Sequence, residues 1–216
     1  TGTALNQIHI PANVARIGTD AFSECFALST ITSGSESYPA IDNVLYEKSA
    51  NGDYALIRYP SQREVPAFKI PNGVVKIETH AFDSCSYLAS VKMPDSVVSI
   101  GTGAFMNCQS LQDIEFSCRI TKLPESVFAG CISLKSIDIP EGITQIPYDA
   151  FAGCARLERI AIPSSVTKIS ESAFSSCESL KTVEYSGSRS QWNAISTDSG
   201  LPNLPVAPGS IDVTVT

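Results

Sequence analysis

A unit of 23 residues recurs along this chain and constrains its fold more strongly than any other feature. The copy that starts at residue 134 reads LKSIDIPEGITQIPYDAFAGC. Self-similarity at this period is typical of a solenoid, an elongated domain whose repeats contact only their neighbours. The positions that keep the 23-residue spacing are Phe82, Phe105, Phe128, Phe151 and Phe174, then Cys85, Cys108, Cys131, Cys154 and Cys177, then Leu88, Leu111, Leu134, Leu157 and Leu180.

Each unit combines two short extended segments with a turn. In the first copy these are IHIP at 8–11, VARI at 14–17 and AFSEC at 21–25. Alternating apolar residues with a terminal proline predict a strand, and the closing segment is long enough for one or two helical turns. Consecutive copies run in one direction, so their strands should stack in parallel with right-handed crossovers. We therefore predict one α/β repeat solenoid over 1–185, a right-handed superhelix of short parallel strands and short helical turns.

An insertion at about 33–66 breaks the 23-residue period. The segments IDNVLYEK and YALIRYP, joined across 49–53, predict a β-hairpin with an Asn-Gly turn. The insertion contains Tyr38, Tyr46, Tyr54 and Tyr59. These rings either pack the hairpin onto the solenoid, which is the favoured interpretation, or form an aromatic binding arm. Tyr46 and Tyr54 are therefore candidate partner-binding residues.

Six of the seven cysteines occupy the same repeat position. Equivalent side chains on stacked repeats point the same way, whereas a disulfide requires two Cβ vectors that face each other, so we expect a ladder of buried free thiols. Cys118 lies in an irregular unit, in which Phe116-Ser117-Cys118 replaces the isoleucine-proline close and Val127 replaces alanine. Because other units have mostly polar turn residues at that position, we expect an exposed free thiol at Cys118.

The repeat pattern ends after the segment that starts at Leu180. Residues 186–216 then form a predicted cap and tail of the same domain, because a terminal repeat must cover the exposed end of the core. Trp192 and Ile195 are placed to cover it, although a ligand-stacking role for Trp192 stays open. The segment IDVTVT at 211–216 is either an edge strand or the start of a linker.

Composition excludes several classes of partner. The net charge is −7 and the isoelectric point is near 4.8, which opposes binding to nucleic acid or to an anionic membrane surface. No apolar run approaches the 18 or so residues that a membrane span requires. The two histidines, His9 and His80, have no plausible catalytic partner in the repeat pattern. We therefore predict no enzyme, no cofactor and no metal site.

The outward residues of the first extended segment form one continuous face. In strand order they are Gln7 and His9, Thr30 and Thr32, Ala67 and Lys69, Ser90 and Lys92, Asp113 and Glu115, Ser136 and Asp138, Arg159 and Ala161, Thr182 and Glu184. Lys69 and Lys92 fall on adjacent strands, followed by Asp113, Glu115 and Asp138. Like charges on neighbouring strands repel, so these five residues are candidates for binding a partner, although a solvated polar face is the favoured interpretation. A partner at the acidic strands should be basic there.

The full pattern L-x-x-I-x-I-P-x-x-V-x-x-I-x-x-x-A-F-x-x-C resembles the BspA-type leucine-rich repeat over residues 5–185. The inserted hairpin and the closing YSGSRSQWNAI segment also resemble features of that family. The resemblance implies a secreted or surface-attached bacterial protein. Some relatives adhere to host matrix proteins such as fibronectin and fibrinogen.

We expect a monomeric protein-binding module, with a protein ligand that could be a host extracellular matrix protein. The main alternative is a structural spacer that holds another domain away from the cell surface. A glycan-degrading enzyme is a third class, and only Asp113, Glu115 and Asp138 could supply its acidic pair. A flat or convex sheet would exclude that third class.

Overall fold

The fold is a stack of short strands joined by turns. We describe residues 5–197 and 212–215 of a computed structural model of the chain. Residues 1–4, the proline- and glycine-rich segment up to Pro208 and the two ends of IDVTVT lie outside the described residues. In chain order the elements are β1 (Gln7–Ile10), β2 (Thr30–Ser33), β3 (Ala40–Ile41), β4 (Val44–Lys48), β5 (Tyr54–Arg58), β6 (Ala67–Lys69), β7 (Val74–Ile77), β8 (Ser90–Lys92), β9 (Ser99–Ile100), β10 (Asp113–Glu115), β11 (Ser136–Asp138), β12 (Gln145–Ile146), β13 (Arg159–Ile162), β14 (Lys168–Ile169), β15 (Thr182–Tyr185), α1 (Arg189–Asn193), β16 (Ser196–Thr197) and β17 (Asp212–Val215).

The first extended segment of each unit forms what we call the first strand column. Its parallel ladders are β1-β2, β6-β8-β10 and β11-β13-β15-β17. Within a ladder the register advances by one repeat, so Phe68 pairs with Val91 and Ile137 with Ile160. These central side chains are buried and the two flanking ones face solvent, as period-2 alternation dictates. The predicted parallel stacking is confirmed.

The second extended segment forms a second strand column, and the insertion is part of it. Strands β4 and β5 are antiparallel, with Lys48 opposite Tyr54, and β5 pairs in parallel with β7. The predicted hairpin is therefore present. It separates two core clusters, because Leu45 packs with the first repeats whereas Tyr46 and Leu56 pack with the main core. The hairpin is packed within the solenoid core and does not project from it.

The A-F-x-x-C segments form a turn column, and helical turns are not confirmed there. Backbone N–H groups alternate between two kinds of acceptor: Asp83 donates to the carbonyl of His80 within its turn, whereas Phe82 donates to Ala104 of the next unit. His80 and Ser84 have positive φ angles of 55° and 60°, which an α-helix does not tolerate. Among the described residues α1 is the only α-helix.

Phenylalanine and cysteine fill the interior of the turn column. The rings of the five phenylalanines that recur at 23-residue spacing stack with centroids 4.8–5.6 Å apart. Four of the inner thiols donate to the carbonyl of the preceding unit's phenylalanine; the Cys131 Sγ atom, for example, lies 3.1 Å from the Phe105 carbonyl oxygen. Burial raises the pKa of Cys177 to about 12 and keeps that thiol neutral. The predicted ladder of buried free thiols is confirmed, as is the exposure of Cys118.

Both strand columns are interrupted at the junction between units 111–133 and 134–156, which we call the 133/134 junction. In the first column no pairing joins β10 to β11. In the second column, Pro147 occupies the position at which Gly101 and Ser170 donate backbone hydrogen bonds to the preceding unit, and Pro124 occupies the same position one junction earlier. Proline has no N–H, so the ladder cannot continue there. Backbone bonds from Ser126, Phe128 and Gly130 to the next unit keep the turn column continuous.

The last unit is covered as the sequence predicts. Helix α1 begins with a capping box at Ser188 and Gln191, which satisfies donors that a helix start otherwise leaves free. Trp192 and Ile195 are buried, and the Trp192 ring lies 5.3 Å from that of Tyr185. Strand β17 extends the first column by pairing in parallel with β15. The edge-strand interpretation is thus confirmed for 212–215.

Candidate partner-binding face and cleft

The outward face of the first strand column brings the predicted charged residues onto neighbouring strands. Lys69 pairs in register with Lys92, and Lys92 pairs with Glu115. Asp113 lies beside Ser90 on the same ladder. Asp138 is on β11, across the 133/134 junction. All five side chains are exposed, so a partner can reach each of them.

Ion pairs compensate part of the charge that the sequence leaves unbalanced. The Lys92 ammonium donates to Glu115 Oε2 at 2.6 Å. Arg159 donates through Nη1 to Asp138 at 2.6 Å and through Nε to Glu184 at 2.8 Å. Hydrogen bonding to Glu184 and then to Asp138 raises the pKa of Arg159, and the same contact lowers the pKa of Glu184. Asp113 makes no salt bridge within 5–197.

A cleft of about 520 Å³ opens at the interrupted ladder between β10 and β11. Its apolar floor includes Ile114, Phe116 and Ile139, and Cys118 lies at its rim. The carboxylates at its walls belong to Asp113, Glu115, Asp138 and Glu141, against one cation, Arg159. The face is therefore neither flat nor convex at this point, and the three acidic candidates all line the cleft.

The large side chain of Phe116 lies where the first strand column is interrupted. Phe116 stands where neighbouring units have Met93 and Ile139, and its ring meets Phe128 edge-on at 5.9 Å and 85°. Met93 donates to Glu115, and Ile139 donates to Ala161, across intact parts of the ladder. The corresponding bond from Phe116 to β11 is not made in the described part of the chain.

The two tyrosine candidates lie away from this face. Tyr46 is 2% exposed, and burial raises its pKa, so a partner cannot touch its ring without opening the core. Tyr54 is half-buried, with its ring 6.0 Å from that of Tyr46 at 75°. Both rings pack the hairpin onto the solenoid.

The surroundings of Glu115 and Asp138 in the cleft differ from those of the carboxylates that hydrolyse glycans. Glycosidases combine a carboxylic acid in apolar surroundings with a second carboxylate. The side chains of Glu115 and Asp138 are 57% and 74% exposed, and each binds a cation. Within 5–197 and 212–215, no group of three or more His, Cys, Asp or Glu side chains could hold a metal ion. The arrangement is suited to electrostatic recognition.

Cys118 is held as a neutral thiol at the rim of the cleft. Its Sγ donates to Asp95 Oδ1 at 3.4 Å. That hydrogen bond is the main reason that the pKa of Cys118 is raised. A reactive cysteine requires the opposite shift.

Two features of this site escape the sequence-based reasoning. Arg159 appears in the pattern as one outward residue of β13, but it bridges the carboxylates of Asp138 on β11 and Glu184 on β15, the two neighbouring strands. The cleft arises from a missing strand pairing, which the repeat pattern does not report. The available signal was the Phe116-Ser117 departure, which we interpreted as an irregularity of one turn.

Stacked parallel strands with an inward leucine in each unit and a variable outer face define a leucine-rich-repeat solenoid. The sequence profile described as "BspA type Leucine rich repeat region" matches residues 1–61 and 58–181, in six copies. The chain therefore belongs to the BspA-type leucine-rich repeat family.

Solved structures agree with this assignment. A leucine rich cell surface protein from Faecalibacterium prausnitzii is 88% identical, with a TM-score of 0.90 over 93% of this chain and 53% of its own length. The T. pallidum Leucine Rich Repeat protein is 31% identical, with a TM-score of 0.59 over 64% of this chain and 67% of its own. The pneumococcal vaccine antigen PcpA is 20% identical, with a TM-score of 0.76 over 98% of this chain and 56% of its own, which shows the fold alone.

The chain spans about half the length of the Faecalibacterium protein. None of the functionally curated proteins compared with the chain matches it significantly. In the described part of the chain, no helix combines the length and the hydrophobicity that crossing a bilayer requires.

Proposed function

We propose that this chain is a non-catalytic protein-binding module of an exported bacterial surface protein, and that it adheres to host or matrix proteins. The observation that carries the proposal is the distribution of charge on the first strand column. The outward residues of β1 and β2 carry no acidic or basic side chain apart from His9. The next six strands of the first column, β6, β8, β10, β11, β13 and β15, carry a strip of seven charges. These are Lys69, Lys92, Asp113, Glu115, Asp138, Arg159 and Glu184.

Two further observations support the proposal. The 88% identical relative is named a cell surface protein, and the strip lies on the outward side of strands whose inward residues already form the core. Electrostatic complementarity mainly sets specificity and the association rate, so a strip of mixed sign selects a partner of opposite pattern. Its acidic centre at Asp113 and Asp138 fits a basic patch.

The test is binding of the purified chain, at physiological salt, to immobilised host matrix glycoproteins. We expect saturable binding to one of them. The triple variant D113A/E115A/D138A should weaken that binding about tenfold or more, because three charges at the centre of the strip are removed. Its melting temperature should stay within about 2 °C of the unaltered chain, because exposed ion pairs contribute about 0–1 kcal/mol.

The matched control is E125A/E171A/E178A, which removes three exposed carboxylates from the turn side of the solenoid. This control should bind as well as the unaltered chain. Equal weakening by both triple variants would show that net charge matters and the strip does not. Absence of binding to every matrix protein would favour the spacer function and reject the proposal.

A further inference from the structure

We propose that the cleft between β10 and β11 receives an arginine side chain from an extended segment of the partner protein. This inference rests on the proposed function and specifies the chemistry of its contact. The guanidinium would lie against the cleft's carboxylates and its unpaired backbone acceptors, while the methylene stem would lie on the floor formed by Ile114 and Phe116.

Unpaired backbone groups at the junction supply the first argument. In a parallel ladder, alternate residues direct their N–H and C=O groups to opposite neighbours. Arg159 donates to Lys135, and Ile139 donates to Ala161, so the alternate residues Ser136 and Asp138 direct their backbone groups toward β10. No pairing joins β10 and β11. The Asp138 carbonyl therefore faces the cleft, and it accepts no hydrogen bond from residues 5–197 or 212–215.

Charge supplies the second argument. The walls carry four carboxylates, of which Glu115 pairs with Lys92 and Asp138 pairs with Arg159, whereas Asp113 and Glu141 make no salt bridge within 5–197. The acceptors are therefore in excess, and a ligand group rich in donors is required. Guanidinium has five N–H donors and no acceptor, and its planar fork suits carboxylates better than an ammonium group does.

The solenoid itself contains a precedent for this contact. The hairpin interrupts the turn column after Cys25, and Arg58 fills that interruption from within the chain. Its guanidinium donates to the carbonyl of His80 at 2.7 Å and to that of Asp83 at 3.2 Å. The cleft is an interruption of the first strand column instead, and Arg159 there binds the carboxylate of Asp138 and not its carbonyl. A partner's arginine that donates to that carbonyl would complete the cleft by the same type of contact.

The size of the cleft is compatible with one inserted side chain and part of an extended backbone. Ligand-binding clefts commonly measure about 300–1,000 Å³, and this cleft falls within that range at about 520 Å³. Because the cleft opens on the same face as the charged strip, the segment that inserts the arginine can also contact Lys92 and Glu184.

The probe is an end-capped peptide of sequence VTVRVTV, compared with the same peptide carrying citrulline or glutamate in place of arginine. Binding is followed through the amide NMR signals of the unaltered chain. We expect saturable shifts at Ser136 and Asp138, and about tenfold or more weaker binding of the citrulline peptide, because citrulline keeps the shape and loses the charge. Equal binding of the arginine and citrulline peptides, or shifts confined to other strands, would overturn the inference.

Variants of the chain localise the contact. F116I/S117P restores the isoleucine-proline close of the regular units, should re-pair β10 with β11 and should abolish peptide binding. D113N/E115Q keeps the cleft and should weaken binding about tenfold or more, whereas the control E125Q/E171Q should leave it unchanged. If F116I/S117P does not fold, D113N/E115Q alone tests whether the peptide binds in the cleft. Unchanged peptide binding in D113N/E115Q would overturn the inference.

The same variants separate this inference from the proposed function. If a matrix protein binds F116I/S117P as well as it binds the unaltered chain, its docking point is not the cleft, and the inference fails while the proposed function stands. If neither a matrix protein nor the arginine peptide binds the unaltered chain, both proposals fail together.

Discussion

Replacing Arg58 should destabilise the protein where the hairpin packs against the turn column. Arg58 is 2% exposed and donates to three acceptors, the carbonyls of His80 and Asp83 and the hydroxyl of Ser61. It makes no salt bridge within the described residues, and its Nε atom has no partner. The buried guanidinium is thus held by neutral groups alone, and its hydrogen-bond geometry determines the cost of replacing it.

The magnitude of the Arg58→Met effect follows from those contacts. The His80 carbonyl keeps a second donor, the N–H of Asp83, whereas the Asp83 carbonyl receives no other hydrogen bond. Stranding one buried acceptor and losing two further bonds should cost about 3–6 kcal/mol, from which removal of a buried charge recovers part. We expect a net loss of about 2–4 kcal/mol, or roughly 5–15 °C in melting temperature for a chain of this length.

Arg58→Lys separates hydrogen-bond geometry from charge. A single ammonium group cannot reach carbonyls that the planar fork reaches together, so lysine should destabilise at least as much as methionine. Lys48→Met, an exposed change of the same type on β4, is the control and should leave the melting temperature unchanged. Hydrogen exchange should also accelerate at the Tyr59 amide, which donates to Ala81. A methionine variant that melts within about 1 °C of the unaltered chain, or full rescue by lysine, would refute the reasoning.

Three other predictions concern packing, reactivity and the cap. A Cβ at Gly101 would lie 2.4 Å from the backbone nitrogen of Thr79, whereas one at Gly18 meets nothing within 4 Å. The G101A variant should therefore lower the free energy of unfolding, measured in urea, by about 1–3 kcal/mol. The control G18A should leave that free energy unchanged. Cys118 should be the one thiol in 5–197 that modifies rapidly in the folded protein. Because the bond to Asp95 raises its pKa, less thiolate forms at a given pH, so D95N should accelerate modification and shift the rate profile to lower pH. W192A should unfold the last unit first, detected as selective loss of amide protection in β15.

The sequence predicted those features that depend on one repeat position at a time. The buried thiols and the outward charges both follow from equivalent environments recurring every 23 residues, so their neighbours are known once the period is known. The predicted helical turns are not confirmed, because residues such as His80 and Ser84 adopt positive φ, and a polar side chain at a variable position does not reveal that conformation.

The cleft could not be predicted because it depends on pairing between two units. In the sequence, each of the three residues Phe116, Pro124 and Pro147 looks like a tolerated substitution at one repeat position, and each belongs to only one unit. Their combined effect appears when the strands on both sides are placed and the ladders fail to connect. The sequence does not decide whether Tyr46 is buried, for a similar reason. The hairpin could have packed within the solenoid core or projected from it.

The 133/134 junction also has a mechanical consequence. Repeats of a solenoid are coupled in series, so a force applied along the stack passes through every junction in turn. At the other junctions of the regular units, one or both strand columns share that load with the turn column, whereas at this junction the bonds donated by Ser126, Phe128 and Gly130 carry it on one side. Tension on the chain would therefore extend this junction first, and the strands that flank the cleft would separate before the rest of the molecule yields.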